Sequence, residues 1–242
     1  MDEPEVLKRA RQSLDSGDIR QWGLERRVAA ALSGTLSVLQ AVGPDLSEDL
    51  SIDFIGGAVG YRLRSGEGRG QPLARAVGLK TRPFPAIVDA TAGMGRDAFF
   101  LASLGADVTL IERSPQVHAA LAAALERARN HSEDLAAIVA RMTLLHGDSR
   151  KFLPDLAPEI VLVDPMHPER SKSALVKKQM RDLRDVVGAD TDAHQLLEVA
   201  LASATRRVVL KWPLRAAAIP GLRAPSHQIV GKTTRYDVFV VG

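Results

Sequence analysis

The chain has 242 residues, of which 45% are hydrophobic, and this is enough to bury the core of one α/β domain with a modest extension. Its 32 basic and 29 acidic side chains leave a formal net charge of only +3, so the total charge by itself favours no class of partner. The sequence contains no cysteine, which excludes disulfides, thiolate metal ligands and a cysteine nucleophile and is typical of a reducing compartment.

The N-terminal region differs in character from the rest of the chain. It begins with acidic residues, and no run in the sequence approaches the roughly 18 apolar residues of a membrane span, so we expect a cytoplasmic protein. Apolar residues at helical spacing predict a helix over 22–40, and alternation predicts a strand over 50–55. A stretch rich in glycine and arginine follows, and we interpret residues 1–82 as a small N-terminal subdomain.

Residues 83–242 alternate between strand and helix patterns, which is typical of a parallel sheet with crossover helices. The last two predicted strands are too close together for an intervening helix, which predicts an antiparallel hairpin at one edge of a mostly parallel, seven-stranded α/β sheet. The predicted strands are 86–89, 107–112, 142–146, 160–164, 207–211, 227–230 and 236–241, and the predicted helices are 97–104, 115–129, 133–141, 173–187 and 193–204.

A glycine turn follows the first of these strands. The strand ends in Asp89, and Gly93 and Gly95 then lead into a helix. Glycines let the backbone turn tightly and approach a ligand, and a helix that starts there directs free N–H groups at it. The pattern also fits the dinucleotide fingerprint of an NAD-dependent enzyme, so alone it predicts only a nucleotide-like ligand.

Polar side chains follow the second and third predicted strands as well. Glu112 lies about 20 residues after the glycines, where a carboxylate can accept both hydroxyls of a ribose. Asp148 can accept from an adenine amino group, and Ser149 can contact the ring edge. Each acid alone also fits a solvated loop residue or a helix N-cap, but their shared position at strand ends favours a nucleoside site.

The fourth strand ends in Asp164-Pro165, with Pro168 three residues later. This loop places a carboxylate and a backbone carbonyl together where the reactive end of the ligand is expected. An exocyclic amine of a base is a poor nucleophile because its lone pair is delocalised into the ring. Acceptors directed at its hydrogens favour the more nucleophilic, pyramidal nitrogen. The loop is therefore typical of methyl transfer to an amine, although the prolines alone could simply end the strand.

Together these motifs resemble the class I S-adenosylmethionine (SAM)-dependent methyltransferases, and more closely the ribosomal RNA small subunit methyltransferase J family. The resemblance implies a Rossmann-like methyltransferase domain over residues 83–242, SAM as the cofactor, and transfer of its methyl group to N2 of one guanine in 16S rRNA. The motifs that carry it are DFIGGA (53–58), GRG (68–70), AVGLK (76–80), DATAGMGRDA (89–98), LIER (110–113), DPMHP (164–168) and SALVKKQMR (173–181).

The resemblance also implies roles for individual residues. His167 stands where the family usually has phenylalanine, and its imidazole can still stack on a base, so we predict it as catalytic together with Asp164 and Pro165. The residues predicted to bind the cofactor are Asp89, Gly93, Gly95, Arg96, Asp97, Glu112, Arg113, Asp148, Ser149 and Asp164.

Two basic stretches are candidates for RNA contact. One lies in the glycine-rich segment of the N-terminal subdomain, and the other follows the Asp-Pro loop, where cations could hold the phosphates that flank the target base. A flexible linker and a solvated helix face are the plainer interpretations of these two stretches. The predicted RNA-binding residues are Arg62, Arg64, Arg69, Lys172, Lys177, Lys178 and Arg181.

The histidines and one tryptophan have simpler interpretations. His118, His131 and His194 lie in helical, polar surroundings without partners at metal-ligand spacing, so we expect them at the surface and predict no metal site. His146 is expected to pack near the end of the third strand, and Trp212 is expected to pack in the core, although the fifth strand's end could also line a base pocket.

Other functions fit part of the pattern. The expected partner is 16S rRNA or the small ribosomal subunit, but an amino group in tRNA or DNA could be methylated by the same chemistry. An NAD-dependent oxidoreductase would use the same glycine turn, and a silent RNA-binding protein would need only the basic stretches.

Overall fold

The structure is a computed structural model and describes residues 52–56, 68–79, 84–166 and 192–242. The predicted helices over 22–40 and 173–187 and the predicted subdomain boundary at residue 82 lie outside the described residues. None of the helices that the structure describes is both long enough and apolar enough to span a bilayer.

Strands and helices alternate along the described chain. In order they are α1 (Pro72–Ala76), β1 (Ile87–Asp89), α2 (Arg96–Ser103), β2 (Val108–Glu112), α3 (Pro115–His131), α4 (Glu133–Val139), β3 (Met142–His146), α5 (Ser149–Leu156), β4 (Ile160–Val163), α6 (Ala193–Ser203), β5 (Arg207–Pro213), β6 (His227–Val230) and β7 (Thr234–Val240).

The strands form one seven-stranded sheet in the order β3-β2-β1-β4-β5-β7-β6. Strands β1 to β5 pair in parallel, and β7 pairs antiparallel with both β5 and β6. The predicted mostly parallel sheet with a terminal antiparallel hairpin is therefore confirmed. Because the strand order reverses between β1 and β4, the crevice beside the carboxyl ends of these two strands is a topological switch point.

The central strands owe their position to their side chains. Every residue of β1 and β4 is buried, as expected for parallel strands covered by helices on both faces.

Helices α3 and α4 begin at serine residues that cap them. The Ser114 hydroxyl accepts from the backbone N–H of Val117 at the start of α3, with Pro115 in the first turn, and the Ser132 hydroxyl accepts from Leu135 at the start of α4.

Two described segments of the predicted N-terminal subdomain share the core of this sheet. Phe54 stacks on Phe99 of α2 with ring centroids 4.4 Å apart. Leu73 in α1 is buried, and α1 packs against β6 and β7. The guanidinium of Arg207 in β5 donates to the Ala76 carbonyl at the end of α1, with Nη1 and O 3.1 Å apart. These contacts join residues 52–56 and 68–79 to the sheet domain.

The strand predicted over 50–55 is wrong for its described part. Ile52 and Phe54 are buried and Asp53 is exposed, which produces the alternation, but the backbone turns instead of pairing with a strand. Asp53 Oδ1 accepts hydrogen bonds from the N–H groups of Ile55 at 2.8 Å and Gly56 at 3.0 Å. A carboxylate that hydrogen-bonds its own backbone in this way stabilises a turn.

Helix α5 was not predicted. It contains Pro154, which removes one intrahelical hydrogen bond, and it has only eight residues. Asp148 offsets this loss as the N-cap, because its carboxylate accepts from the backbone N–H of Arg150 at 2.9 Å. The helix was therefore missed because the stabilising effect of the Asp148 cap exceeds the destabilising effect of Pro154.

Candidate cofactor and active site

The predicted site residues meet at one edge of the sheet. Asp89 ends β1 and Glu112 ends β2, while Asp164 directly follows β4. Since β1 pairs with both β2 and β4, these three carboxylates lie around the switch point. The backbone N–H of Asp164 donates to the Thr91 hydroxyl at 2.7 Å, which ties the loop after β4 to the turn after β1.

The glycine turn has the backbone conformation that the sequence predicts. Gly93 and Gly95 have φ values of 51° and 68°, a region that side chains other than glycine rarely adopt. At Gly95 the missing side chain also serves core packing, because a Cβ there would lie 2.7 Å from Leu121 Cδ1 and 3.3 Å from Phe54 Cζ. Core packing and the positive φ are therefore sufficient by themselves to require glycine at this position.

Glu112 joins the ends of the first two strands. Its Oε2 accepts from the backbone N–H of Gly93 and its Oε1 from that of Ser114, both at 2.8 Å. Burial raises the pKa of this carboxyl, and the two backbone donors partly oppose that increase. Each carboxylate oxygen has a second lone pair, so these contacts are compatible with the predicted acceptance of ribose hydroxyls.

The two residues predicted to contact adenine have structural partners. The Ser149 hydroxyl is buried and donates to the Ala90 carbonyl at 2.6 Å, so it connects α5 to the turn after β1. Asp148 is the N-cap of α5, which is the alternative role that the sequence left open, and Arg150 Nη2 lies 2.6 Å from its Oδ2. The hydrogen bonds from the Arg150 side chain lower the pKa of Asp148 despite partial burial.

A network of charges surrounds this end of the site. Arg113 Nη1 lies 2.9 Å from Asp192 Oδ2, and Arg150 Nη2 lies 3.2 Å from the same oxygen. Asp192, which precedes α6, and Arg150 were not predicted as site residues. Neither follows a strand directly, and strand ends were the signal on which the prediction depended.

The end of the site that the sequence predicts to be catalytic contains an ion-pair cluster that the sequence did not reveal. Lys211 in β5 directs its ammonium between two carboxylates, with Nζ 2.6 Å from Asp97 Oδ2 and 2.7 Å from Asp164 Oδ2. The sequence did place Lys211 at the end of the fifth predicted strand. That position was its only signal, and a base pocket was the role considered for it.

Electrostatics within this cluster are strongly coupled. Burial, together with the nearby charges of Asp97 and Asp164, raises the pKa of Asp89 to about 7, against the opposing effects of the Thr91 backbone hydrogen bond and of Lys211. Burial alone would lower the pKa of the Lys211 ammonium, but the charges of Asp164 and Asp97 outweigh it and raise that pKa. The cluster is therefore an ionised lysine among acidic groups that outnumber it.

Other predicted site residues differ in whether the structure describes them. Arg96 is the first residue of α2, directly beside Asp97. Pro165 is buried after β4. Arg69 is exposed, with its guanidinium carbon 4.9 Å from the centroid of the Phe84 ring. His167 and the remaining predicted RNA-binding residues, Arg62, Arg64, Lys172, Lys177, Lys178 and Arg181, lie outside the described residues.

The prediction of a surface position is wrong for His118. This side chain is 5% exposed, and its ring centroid lies 5.0 Å from that of His146 at the end of β3. Burial lowers the pKa of His118 to about 4. The apolar surroundings come from α3 packing on the sheet, a tertiary contact that the local sequence does not show. His131 is exposed as predicted.

Two further expectations can be compared with the structure. Trp212 is buried and its Nε1 donates to the Ala217 carbonyl at 2.8 Å, so its predicted core position is confirmed. Within residues 52–56, 68–79, 84–166 and 192–242, the structure contains no group of three or more potential histidine, aspartate or glutamate ligands placed to hold a metal ion.

The sequence matches known proteins along most of its length. Residues 21–241 match the family described as "Putative SAM-dependent methyltransferase". The chain is 65% identical over 194 residues to the ribosomal RNA small subunit methyltransferase J of Brucella anthropi, a match that covers 80% of this chain and 95% of the relative. It is 62% identical over 195 residues to the protein of the same name from Agrobacterium fabrum, covering 81% of this chain and 94% of the relative.

A solved structure supports the same relationship. The crystal structure of a SAM-dependent methyltransferase from Neisseria gonorrhoeae is 36% identical and superposes with a TM-score of 0.61, covering 78% of this chain and 73% of that one. The NAD-dependent alternative is thereby removed. The chain belongs to the ribosomal RNA small subunit methyltransferase J family of SAM-dependent methyltransferases.

Proposed function

We propose that this protein transfers the methyl group of SAM to the exocyclic N2 of a guanine in 16S rRNA. The observation that carries the proposal is the carboxylate of Asp164 at the switch point, beside the Asp97–Lys211 pair. Relatives named for methylation of small-subunit rRNA, at 65% and 62% identity, support the choice of RNA.

The charges at this edge of the sheet fit SAM. A sulfonium is a cation, and Asp97 and Asp164 together supply more negative charge than Lys211 neutralises. Glu112 is available at the end of β2 for ribose hydroxyls. In this proposal Asp148 and Ser149 lie beside the adenine, and Arg96, Asp97 and Arg113 complete the cofactor site.

The bound cofactor supplies an electrophilic methyl carbon whose leaving group is a neutral thioether. When bound, SAM would supply this methyl carbon to the guanine nitrogen and would leave as the thioether, so that the electron pair of the broken carbon–sulfur bond would remain on sulfur. Asp164 and the carbonyl of Pro165 accept hydrogen bonds from the amine and stabilise the positive charge that develops on nitrogen. The nitrogen proton becomes acidic on alkylation, so it passes to water or Asp164 without a dedicated general base.

Base stacking and cationic side chains are proposed to hold the RNA. His167 is proposed to stack on the target base, and Arg62, Arg64, Arg69, Lys172, Lys177, Lys178 and Arg181 are proposed to contact phosphates. A cytoplasmic location, where ribosomal subunits are assembled, stays a prediction.

The test is to locate the methyl group. The protein is incubated with isotopically labelled SAM and either deproteinised 16S rRNA or assembled small subunits, with tRNA and DNA in parallel, and the modified nucleoside is identified by mass spectrometry. We expect N2-methylguanosine in 16S rRNA, and the label should be lost with Asp164→Ala. Label on adenine, in tRNA or in DNA would overturn the proposed substrate, and the same experiment would then identify the correct one.

A further inference from the structure

Lys211 connects three separate segments of the chain. Its Nζ contacts Asp97 in the first turn of α2 and Asp164 in the loop after β4, while Lys211 itself lies in β5. The register of the sheet explains part of this convergence. Val163 pairs with Leu210, so the residues that follow them, Asp164 and Lys211, are neighbours at the carboxyl edge of the sheet.

We propose that Lys211 is a positioning residue for methyl transfer, whose ammonium fixes the Asp164 carboxylate beside the substrate amine through its ion pair with Oδ2. The inference rests on the proposed function, because it assigns a partner to the carboxylate that accepts from the amine. It assigns Lys211 a role different from the base pocket that its strand-end position suggested.

The first argument concerns geometry. The Asp164 side chain is 42% exposed, whereas Lys211 is 24% exposed and Asp97 is 17% exposed. A lysine that is held by the less exposed Asp97 therefore restrains the more exposed Asp164. The cost of ordering Asp164 is met in the folded protein before the substrate binds, and a small displacement of a reacting group can reduce a rate by about 100-fold.

The second argument concerns charge. Asp164 shares this edge of the sheet with Asp97 and with the buried Asp89, and neighbouring carboxylates favour protonation of one another. A protonated Asp164 would lose acceptor capacity toward an amine. The Lys211 ammonium opposes protonation, so the carboxylate is kept both in place and ionised.

The experiment compares Lys211→Met, which keeps the length of the side chain without its charge, with Lys211→Arg. Lys151→Met is the matched control, because Lys151 is an exposed lysine in α5. The first readout needs neither cofactor nor RNA. The ¹³Cγ chemical shift of Asp164 is titrated in the free protein and assigned by its absence in Asp164→Asn. The second readout is the single-turnover methylation rate from pH 5.5 to 9, with KM for rRNA measured separately.

We expect Lys211→Met to raise the pKa of Asp164, because a nearby opposite charge is lost. The acid limb of the pH–rate profile should shift to higher pH by the same amount, because Asp164 then ionises only at higher pH. The rate at neutral pH should fall by about 100-fold with little change in KM for rRNA, and Lys211→Arg should restore most of it.

A merely structural ion pair predicts a different result. In that case Lys211→Met lowers the unfolding temperature but leaves the Asp164 titration and the acid limb at their wild-type positions, and this outcome would overturn the proposal. Loss of the proposed function is recognised separately. Wild-type protein that methylates no guanine contradicts the function, whereas the Asp164 titration in the free protein is independent of the substrate.

Discussion

The carboxylate of Glu112 accepts a hydrogen bond from the backbone N–H of Gly93 at 2.8 Å, so the end of the second strand holds the turn that follows the first. The same side chain is 6% exposed and accepts a second backbone hydrogen bond from Ser114. A residue expected to read a ribose therefore also supports the protein in the absence of any ligand.

Glu112→Ala should reduce both stability and cofactor affinity. The buried backbone N–H of Ser114 and the partly buried N–H of Gly93 lose their acceptor, and the loss at a buried group costs about 1–3 kcal/mol. Glu112→Gln keeps one acceptor oxygen and should lie between wild type and the alanine variant. Thermal unfolding with and without S-adenosylhomocysteine measures both effects. An alanine variant with wild-type stability in the absence of ligand would contradict the structural role of this carboxylate.

Gly95→Ala should destabilise the protein by about 1–3 kcal/mol through overpacking and strain at positive φ. The new Cβ would lie 2.7 Å from Leu121 Cδ1. Gly70→Ala is the control, because a Cβ at Gly70 has no heavy atom within 4 Å. Denaturant unfolding compares the two variants. If Gly95→Ala lowers cofactor affinity at wild-type stability, ligand approach and not packing explains the glycine.

Stability should decrease as the pH falls from about 6.5 to about 4, in part because of His118. Its pKa in the folded protein is about 4, below the usual 6.5, so the unfolded chain binds a proton in this range and the folded protein does not. The contribution amounts to at most about 3 kcal/mol. His118→Leu should flatten this part of the pH profile in thermal unfolding, and His131→Leu, at an exposed histidine, should not.

Asp89 should produce a pH dependence of the opposite sign. Its pKa in the folded protein is about 7, above the ordinary 3.8, so the folded protein binds more protons between these values and becomes less stable as the pH rises through them. Asp89→Asn removes this titration. We expect its unfolding temperature to exceed that of the wild type by a few degrees at pH 8, with a smaller difference at pH 4.

Asp164→Ala should abolish methyl transfer in a folded protein. The side chain is 42% exposed, so its removal should leave no large cavity. We expect the rate to fall at least 100-fold, with the unfolding temperature close to that of the wild type. Asp155→Ala, an exposed aspartate in α5, is the matched control. Substantial turnover by Asp164→Ala would exclude this carboxylate from the reaction.

The parallel part of the sheet was predictable because its strands are short, mostly apolar and separated by helices. The uninterrupted apolar residues of β4 and the serine caps of α3 and α4 are local signals, and they gave correct elements. The turn at residues 52–56 and helix α5 were missed because each depends on one carboxylate, Asp53 or Asp148, that hydrogen-bonds the backbone. Alternation of apolar and polar residues over a few positions does not distinguish such a turn from a strand.

The part of the site that lies directly at strand ends could be predicted from the sequence. Asp89, Glu112 and Asp164 could be placed at one edge because parallel strands present their carboxyl ends together. The contacts of Lys211 with Asp97 and Asp164 could not be predicted, since residues 97, 164 and 211 are far apart in sequence. The burial of His118 likewise depends on the packing of α3 against β3 and not on its neighbours in the chain.

Gly95 changes how this motif should be used to recognise active enzymes. Because Leu121 and Phe54 fill the space that a side chain at this position would need, a relative that no longer binds SAM would still be under pressure to keep the glycine. The glycine would then be conserved even in relatives that have lost the activity. An inactive member of the family should instead differ at Asp97, Asp164 and Lys211, whose contacts serve no comparable requirement of the core.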